Sequence, residues 1–441
     1  MGARLVGASL LAILPAHAAQ AAPDAGPRFV QPATTAVETL RILDARLALM
    51  DGVAAAKWQS GAPILDPVRE QQVLEQVVRL AGERGLEAAS ARAVFSLQMQ
   101  LARDWQIRLH QAWRGQGGPP PGTPVPDLAK QVRPQLDALT AQQLELFARD
   151  HADWSEPTTL RDAFDAHRNE FPFLAKVPEA DRQGLWSALS ALRNAPGRTL
   201  QRIRATGTLR VGLTGDYAPF SLEQETGLLE GTDVVLAERL ADSLAGDGLL
   251  GGAHVRYVRT TWRTLLPDLL AGRFDVALGG ISITVDRSAQ AAFSPPYHHG
   301  GKTFLARCAD GDRYATLAAA DRSSVRLLVN PGGTNERFVR ANFHQATIRV
   351  LPDNRAVFGA LVRKEGDLMV TDDVEVALQT RLHPTLCRAT SLLFEPADKA
   401  VMLVRDAELE SAVRTWMDEE VRNGVPALLL DQALRAASSE N

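Results

Sequence analysis

The sequence predicts a multi-domain protein, an all-α helical domain followed by an α/β domain of two lobes, and three observations carry that expectation. From Thr35 to about Leu192 apolar residues recur at helical spacing, and no stretch alternates as a half-buried strand would. After Asn194-Ala195-Pro196-Gly197 short apolar runs begin to alternate with helical stretches. The chain has 441 residues, enough for two or three domains that each bury a core. The boundaries that follow are 35–193 for the helical domain, 194–200 for a linker and 201–437 for the α/β domain.

At the N-terminus one Arg precedes an apolar run from Leu5 to Leu14, and small-x-small sites follow at Ala16-His17-Ala18 and Ala19-Gln20-Ala21. Residues 1–21 therefore read as a cleaved secretory signal; an uncleaved anchor is the alternative, but the run is shorter than the ~20 apolar residues that span a bilayer. After cleavage the chain would be periplasmic or secreted, with no membrane contact. In an oxidising compartment two cysteines, Cys308 and Cys387, suggest one bridge, with two buried free thiols as the alternative. No cysteine-based metal site is expected. The formal charge of -4 gives no electrostatic reason to expect nucleic acid or an anionic membrane as partner.

In the helical half, Thr35 with Glu38 forms a capping-box pattern ahead of a helix expected to run through Lys57. Asp66-Pro67 offers an N-cap and a first-turn proline to a second helix that Gly85 can end. A third helix is expected over 90–113, the Gly/Pro-rich stretch 115–126 breaks the pattern, and two or three more helices follow over 127–192. Arg46 and Lys57 are eleven residues apart, close to three helical turns, so both project from nearly one stripe. Gln106 is polar within an apolar pattern and needs a partner.

In the second half the strand candidates are 209–213, 254–259, 275–280, 303–308, 325–330, 348–351, 368–371 and 401–404. Helices between them imply parallel sheets covered on both faces, arranged as two lobes with a cleft between.

Several strings in the helical half, Asp44-Ala45-Arg46-Leu47, Ala56-Lys57-Trp58, Pro63 to Glu70 and Arg133-Pro134-Gln135-Leu136-Asp137, resemble the all-helical chorismate mutases, in particular their exported subclass. The resemblance covers about 35 to 192. It implies a cationic pocket that selects the folded diaxial conformer of chorismate and rearranges it to prephenate without proton transfer. Arg46, Arg69 and Arg133 would bind the two carboxylates, Lys57 and Gln106 would hydrogen-bond the ether oxygen, and Glu70 would be a further substrate contact. Some exported relatives carry Glu where this chain has Gln106, and the position that often bears a threonine hydroxyl is Ala102. The disulfide of some relatives is missing, since both cysteines lie in the other half.

In the second half Leu209-Arg210-Val211-Gly212, Tyr217-Ala218-Pro219-Phe220, 280–284 and 293–297 resemble periplasmic solute-binding proteins for polar amino acids. That family implies a carboxylate clamp at Arg287, helped by main-chain donors near Ser282. Thr214 to Tyr217, Gly301-Lys302-Thr303, Asn330 to Glu336 and Met369 to Glu375 narrow the resemblance, over about 200 to 434, to the cyclohexadienyl dehydratases, which use this fold as an enzyme. By that resemblance Glu375 is the acid that protonates the departing hydroxyl of prephenate, and Lys302 and Asn330 orient hydroxyl and ring. Tyr217 and Trp262 would wall the pocket, and Gly332, Gly333 and Thr334 would offer backbone N–H groups to a carboxylate. Asp372 lies where binding-protein relatives hold a ligand ammonium, so arogenate is expected as a substrate beside prephenate. No cofactor is implied, and self-association into a homo-oligomer is expected from the relatives. The rival reading keeps the mutase but makes the second domain a non-catalytic amino-acid-binding module.

Overall fold

The structure is a computed structural model that describes residues 26–245 and 254–439. The leader expected at 1–21 lies outside the described residues. Among them no helix is long and apolar enough to cross a membrane.

The helical half opens with α1 (Pro32–Ala48) and α2 (Met50–Ser60), parted by the single residue Leu49, so the one helix expected through Lys57 is two. Nor does Thr35 cap it. Pro32, whose fixed φ suits a first turn, starts the helix earlier, and Gln31 holds the N-cap position. The Thr35 hydroxyl instead hydrogen-bonds Pro32 O (3.0 Å) and Asp153 Oδ2 (2.9 Å) from inside the first turn. Helix α3 (Pro67–Glu83) begins as the spacing predicts, Asp66 accepting from the Arg69 N–H at 3.0 Å. Helix α4 (Ala88–Gln116) overruns both expected ends and stops at Gly117, in the left-handed region. A π-helical turn, Leu128–Val132, capped by Asp127, leads into α5 (Arg133–Asp150), followed by α6 (Pro157–Ala166) and α7 (Glu179–Ser190). Leu40, Phe95, Phe147, Trp154 and Leu160 are fully buried between these helices, each contributing about 1.5–3 kcal/mol by burial.

Segment 194–200, expected as a linker, is tied down on both sides. Ala195 N–H donates to Gly85 O (2.8 Å), and Thr199 N–H donates to Asp406 Oδ2 (2.8 Å) at the start of α8 (Thr199–Thr206). Gly85 has φ +71°, and a Cβ there would come within 2.7 Å of Arg202 Cβ, so glycine lets α8 lie against the bundle. Buried Arg256 reaches back to Asp150 and Asp153 of the helical half. Beneath it Arg202 and Arg210 share Asp275, all three buried. The N-terminal segment also crosses over: Val30 N–H bonds Tyr257 O (3.0 Å), and Phe29 is buried in the core of the first lobe.

The α/β half holds two five-stranded sheets. The first contains β1 (Thr208–Leu213), β5 (His254–Arg259), β6 (Val276–Ala277), β7 (Ala292–Phe293) and β13 (Met402–Leu403), in the order β5-β1-β6-β13-β7. The second contains β8 (Lys302–Arg307), β9 (Arg326–Val329), β10 (Thr347–Val350), β11 (Leu368–Asp372) and β12 (Leu386–Arg388), in the order β10-β9-β11-β8-β12. The expected parallel sheets are mixed. Strand β13 returns from the second lobe and pairs antiparallel with β6 and β7, and β8, the first strand after the crossing, pairs antiparallel with β11 and β12. The two crossing segments pair through Ser282, His298 and Gly301 against Lys399 and Pro396, which forms the hinge. A small sheet of β2 (Asp216–Tyr217), β3 (Ser221–Glu223) and β4 (Leu229–Glu230) had no sequence signal, because such short strands show no alternation. Cys308 and Cys387 are joined by a disulfide that ties β12 to the end of β8.

Candidate functional sites

Helices α1 to α5 form a cleft lined by all five residues singled out for it, Arg46, Lys57, Arg69, Gln106 and Arg133, together with Glu70. Arg46 hydrogen-bonds Thr140 Oγ1 (2.8 Å) and Leu136 O (3.3 Å), and its guanidinium lies over the Phe95 ring. Burial draws its pKa down to about 10, still cationic at neutral pH. Burial also lowers the Lys57 ammonium, against the pull of Asp66 and Glu70, and Lys57 Nζ donates to Ile64 O at 2.7 Å. Gln106 is buried and donates to Ala102 O (2.9 Å); Met50 Sδ lies 3.8 Å from the same nitrogen, and Gln106 Oε1 has no partner among the described residues. Sulfur is a weak acceptor, so the N–H facing Met50 is the one a ligand can claim.

Three further polar residues that sequence reasoning did not name line the cleft, Thr140, Arg103 and Gln98. Arg103 holds Glu70 Oε2 at 2.5 Å, and Gln98 is buried with its whole carboxamide unpartnered among the described residues. Arg103 and Gln98 lie on α4 within eight residues of Gln106, and that shared face was the legible signal. Between the cations the walls are apolar, Leu43, Leu47, Val53, Val73 and Leu101 among them. The cleft suits a small, partly apolar anion.

The second site lies between the lobes, a narrow cavity lined by Tyr217, Trp262, Ser282, Arg287, Asn330, Gly333, Thr334 and Asp372 from the sequence-derived set. Asp372, at the end of β11, is the hub. Lys302 Nζ meets its Oδ1 at 2.8 Å, while Tyr217 OH (2.5 Å) and the Lys399 ammonium meet its Oδ2. Desolvation pushes this carboxyl up, but the two lysines win and hold it well below the usual carboxylate range. Asp372, expected to meet a ligand ammonium, is thus already paired with two lysine ammonium groups in this structure. Lys399 was missed; a lone lysine beside the apolar run 400–404 was its only trace. It sits on the hinge, donates to Ser282 Oγ (2.9 Å) and faces the Tyr217 ring at 5.3 Å.

Lys302 also donates to Asn335 Oδ1 (2.6 Å); Asn335 Nδ2 reaches Thr371 Oγ1 (3.2 Å) and Asn330 Oδ1 (3.4 Å), and the Thr371 hydroxyl donates to Glu375 Oε2. Glu375 is 1% exposed in the first turn of the helix Asp373–Leu382, one layer behind the cavity lining. Burial raises its pKa to about 8, the Thr371 hydrogen bond only partly opposing. The Asp372 and Asp216 carboxylates raise it further, while Lys399 opposes them. Gly332 is a correction: its N–H is taken by Glu336 Oε2 at 2.6 Å, leaving Gly333 and Thr334 at the cavity. Arg287 bonds Ser282 O at 2.9 Å, and burial brings it down to about 10. The lobes are closed on one another through Tyr217 with Asp372, Asn354 Nδ2 with Asp216 O (3.0 Å) and Arg337 with Asp286 (2.8 Å).

Residues 209–434 match the bacterial extracellular solute-binding proteins, family 3, and residues 37–107 match chorismate mutase type II. The cyclohexadienyl dehydratase of Pseudomonas aeruginosa is 44% identical over 237 residues, 54% of this chain and 86% of that protein. The L-cystine-binding protein TcyJ of Escherichia coli K12 is 30% identical over 227 residues, 51% of this chain and 82% of that protein. A crystal structure of an ancestral amino acid-binding protein, a precursor of cyclohexadienyl dehydratase, is 30% identical with a TM-score of 0.49, covering 54% of this chain and 99% of that one.

Proposed function

We propose, from the premise that this chain belongs to the bacterial extracellular solute-binding proteins of family 3 and carries a type II chorismate mutase domain ahead of that fold, that it is a bifunctional enzyme making phenylpyruvate from chorismate. In the bundle Arg46, Arg69 and Arg133 hold the carboxylates of chorismate and so select the folded conformer. As the ether C–O bond breaks and the new C–C bond forms, negative charge grows on the ether oxygen, and the Lys57 ammonium and the Gln106 amide stabilise it.

The prephenate that leaves this pocket is the substrate of the second site. Arg287 and the N–H groups of Gly333 and Thr334 take a carboxylate; Tyr217 and Trp262 flank the ring. Glu375, protonated at neutral pH, gives its proton to the C4 hydroxyl, which departs as water while the ring carboxylate leaves as CO₂ and the ring aromatises. Glu375 is then reprotonated from solvent. The observation that carries this reading is a buried carboxyl raised to about 8 behind an inter-lobe cavity, in the same chain as a cleft lined by four arginines and a lysine. A binding module that only captures an amino acid has no use for such an acid.

The disulfide and the extracellular family support a periplasmic location, and the resemblance to other mutases and dehydratases supports a homo-oligomer, to be read by sedimentation. The test of function is conversion of chorismate by the full chain, with phenylpyruvate read by its ultraviolet absorbance in alkali. Accumulation of prephenate without phenylpyruvate would leave the mutase and favour the binding-module reading of the second domain.

A further inference from the structure

Gln98 holds a buried carboxamide that nothing in the fold uses. The residue is 8% exposed and lines the bundle cleft, and neither Nε2 nor Oε1 has a hydrogen-bond partner among the described residues. Buried polar groups left without partners are rare in native proteins, and each calls for a group that completes it. The other bundle glutamine with both atoms unpaired, Gln143, does not line the cleft.

Its register supplies the reason. Residues 98, 102 and 106 follow one another at four-residue spacing along α4, so their side chains share one face. Gln106 is the far member, and Ala102, with only a methyl group, leaves the space between the two carboxamides open to the cleft. At the near end, the Arg46 guanidinium lies 5.3 Å from the centre of the Phe95 ring, and Phe95 precedes Gln98 by three residues on the same helix. Arg46 and Gln98 therefore approach the same end of the cleft.

We infer that Gln98 is a substrate contact of the mutase, its Nε2 donating to the carboxylate that Arg46 binds, in place of a hydroxyl that Ala102 cannot supply. The inference rests on the reading of this cleft as a chorismate mutase site. A neutral amide donates at any pH, complements the arginine without repelling it, and has its hydrogen-bonding capacity satisfied only when the pocket is filled.

Steady-state kinetics of the full chain test it. Gln98→Leu is expected to lower kcat/KM for chorismate tenfold or more, mainly through KM, while prephenate dehydration and thermal stability hold. Gln98→Glu places a carboxylate beside the substrate's own; its mutase rate is expected to fall further at pH 7.5 and to recover as the pH drops toward about 5, where a carboxyl protonates. Gln143→Leu leaves the chorismate constants unchanged. A Gln98→Leu enzyme within twofold of the parent, or a flat pH profile for Gln98→Glu, overturns the inference alone. A parent enzyme that leaves chorismate untouched overturns the mutase reading and this inference with it. Should Gln98→Leu also lose dehydration, a sign of misfolding, Gln98→Met, nearly equal in length, is judged by the same criteria.

Discussion

Asp372 and Glu375 stand three residues apart at the start of one helix and are driven in opposite directions, the first held ionised by Lys302 and Lys399, the second raised to about 8 by burial. Separation of two neighbouring carboxyls by environment is how one site keeps a fixed anion and a usable acid together at neutral pH. With prephenate as substrate, kcat/KM should hold below pH 7 and fall tenfold per unit well above about 8, as Glu375 loses its proton. A profile flat through pH 9.5 would remove Glu375 from the role of acid. The same raised pKa bears on folding: its contribution is fully present below the ordinary carboxyl pKa and is lost as the pH rises through about 8.

Glu375→Gln keeps the shape but has no proton to release. Dehydration should drop about 10²–10⁴-fold while chorismate is still consumed, so prephenate accumulates. Phenylpyruvate formation at the parent rate, measured on the same variant, would reassign the proton donor.

Lys57→Ala should show the converse, loss of about 10²–10³ in mutase rate with prephenate dehydration intact. Since Gln106 donates without a proton equilibrium, the parent mutase rate should stay nearly flat from mildly acidic to neutral pH. Its decline belongs at alkaline pH, where Lys57, lowered by burial, becomes neutral. A sharp fall between pH 7 and 8 would count against this assignment.

Arogenate carries an ammonium in place of the keto group of prephenate. Because Asp372 is already engaged by two lysines and Tyr217, no free carboxylate awaits that ammonium, and Arg287 and Lys399 leave the lining with a cationic surplus. Prephenate should have the higher kcat/KM by about tenfold or more, the effect of one unmatched charge. Equal constants for the two substrates would show that the Asp372 cluster opens on binding.

Cys308→Ser with Cys387→Ser removes a bridge across a sequence separation of 79 residues. On the chain-entropy relation the loss is about 4 kcal/mol of stability. Denaturant unfolding should show it in the α/β half, with mutase activity retained at concentrations that abolish dehydration.

Much of the site was legible because the chemistry of small anions restricts the residue types. Arg46, Lys57, Arg69 and Gln106 fall on four different helices, so it was the family strings carrying them, not their spacing, that made them legible, while Asp66-Pro67 starts α3 where the caps require. The resemblance named Glu375 as the acid, but its protonation state was not legible, because the burial that raises its pKa belongs to the folded chain. The structure resolves this through Asp372, which lies between the lysines and takes up their charge.

Local pattern thus determined the order of the main helices and strands and the two-lobed plan, because helical periodicity, caps and turns act over a few residues, while the resemblance named the charged groups. What only the tertiary structure decided depends on contacts between distant segments. Lys399 on the returning hinge reaches Asp372, Arg256 docks on Asp150, β13 and β8 turn the sheets mixed, and Glu375 is sealed from water. Burial and long-range pairing are properties of the assembled chain, and they set the protonation states on which the chemistry runs.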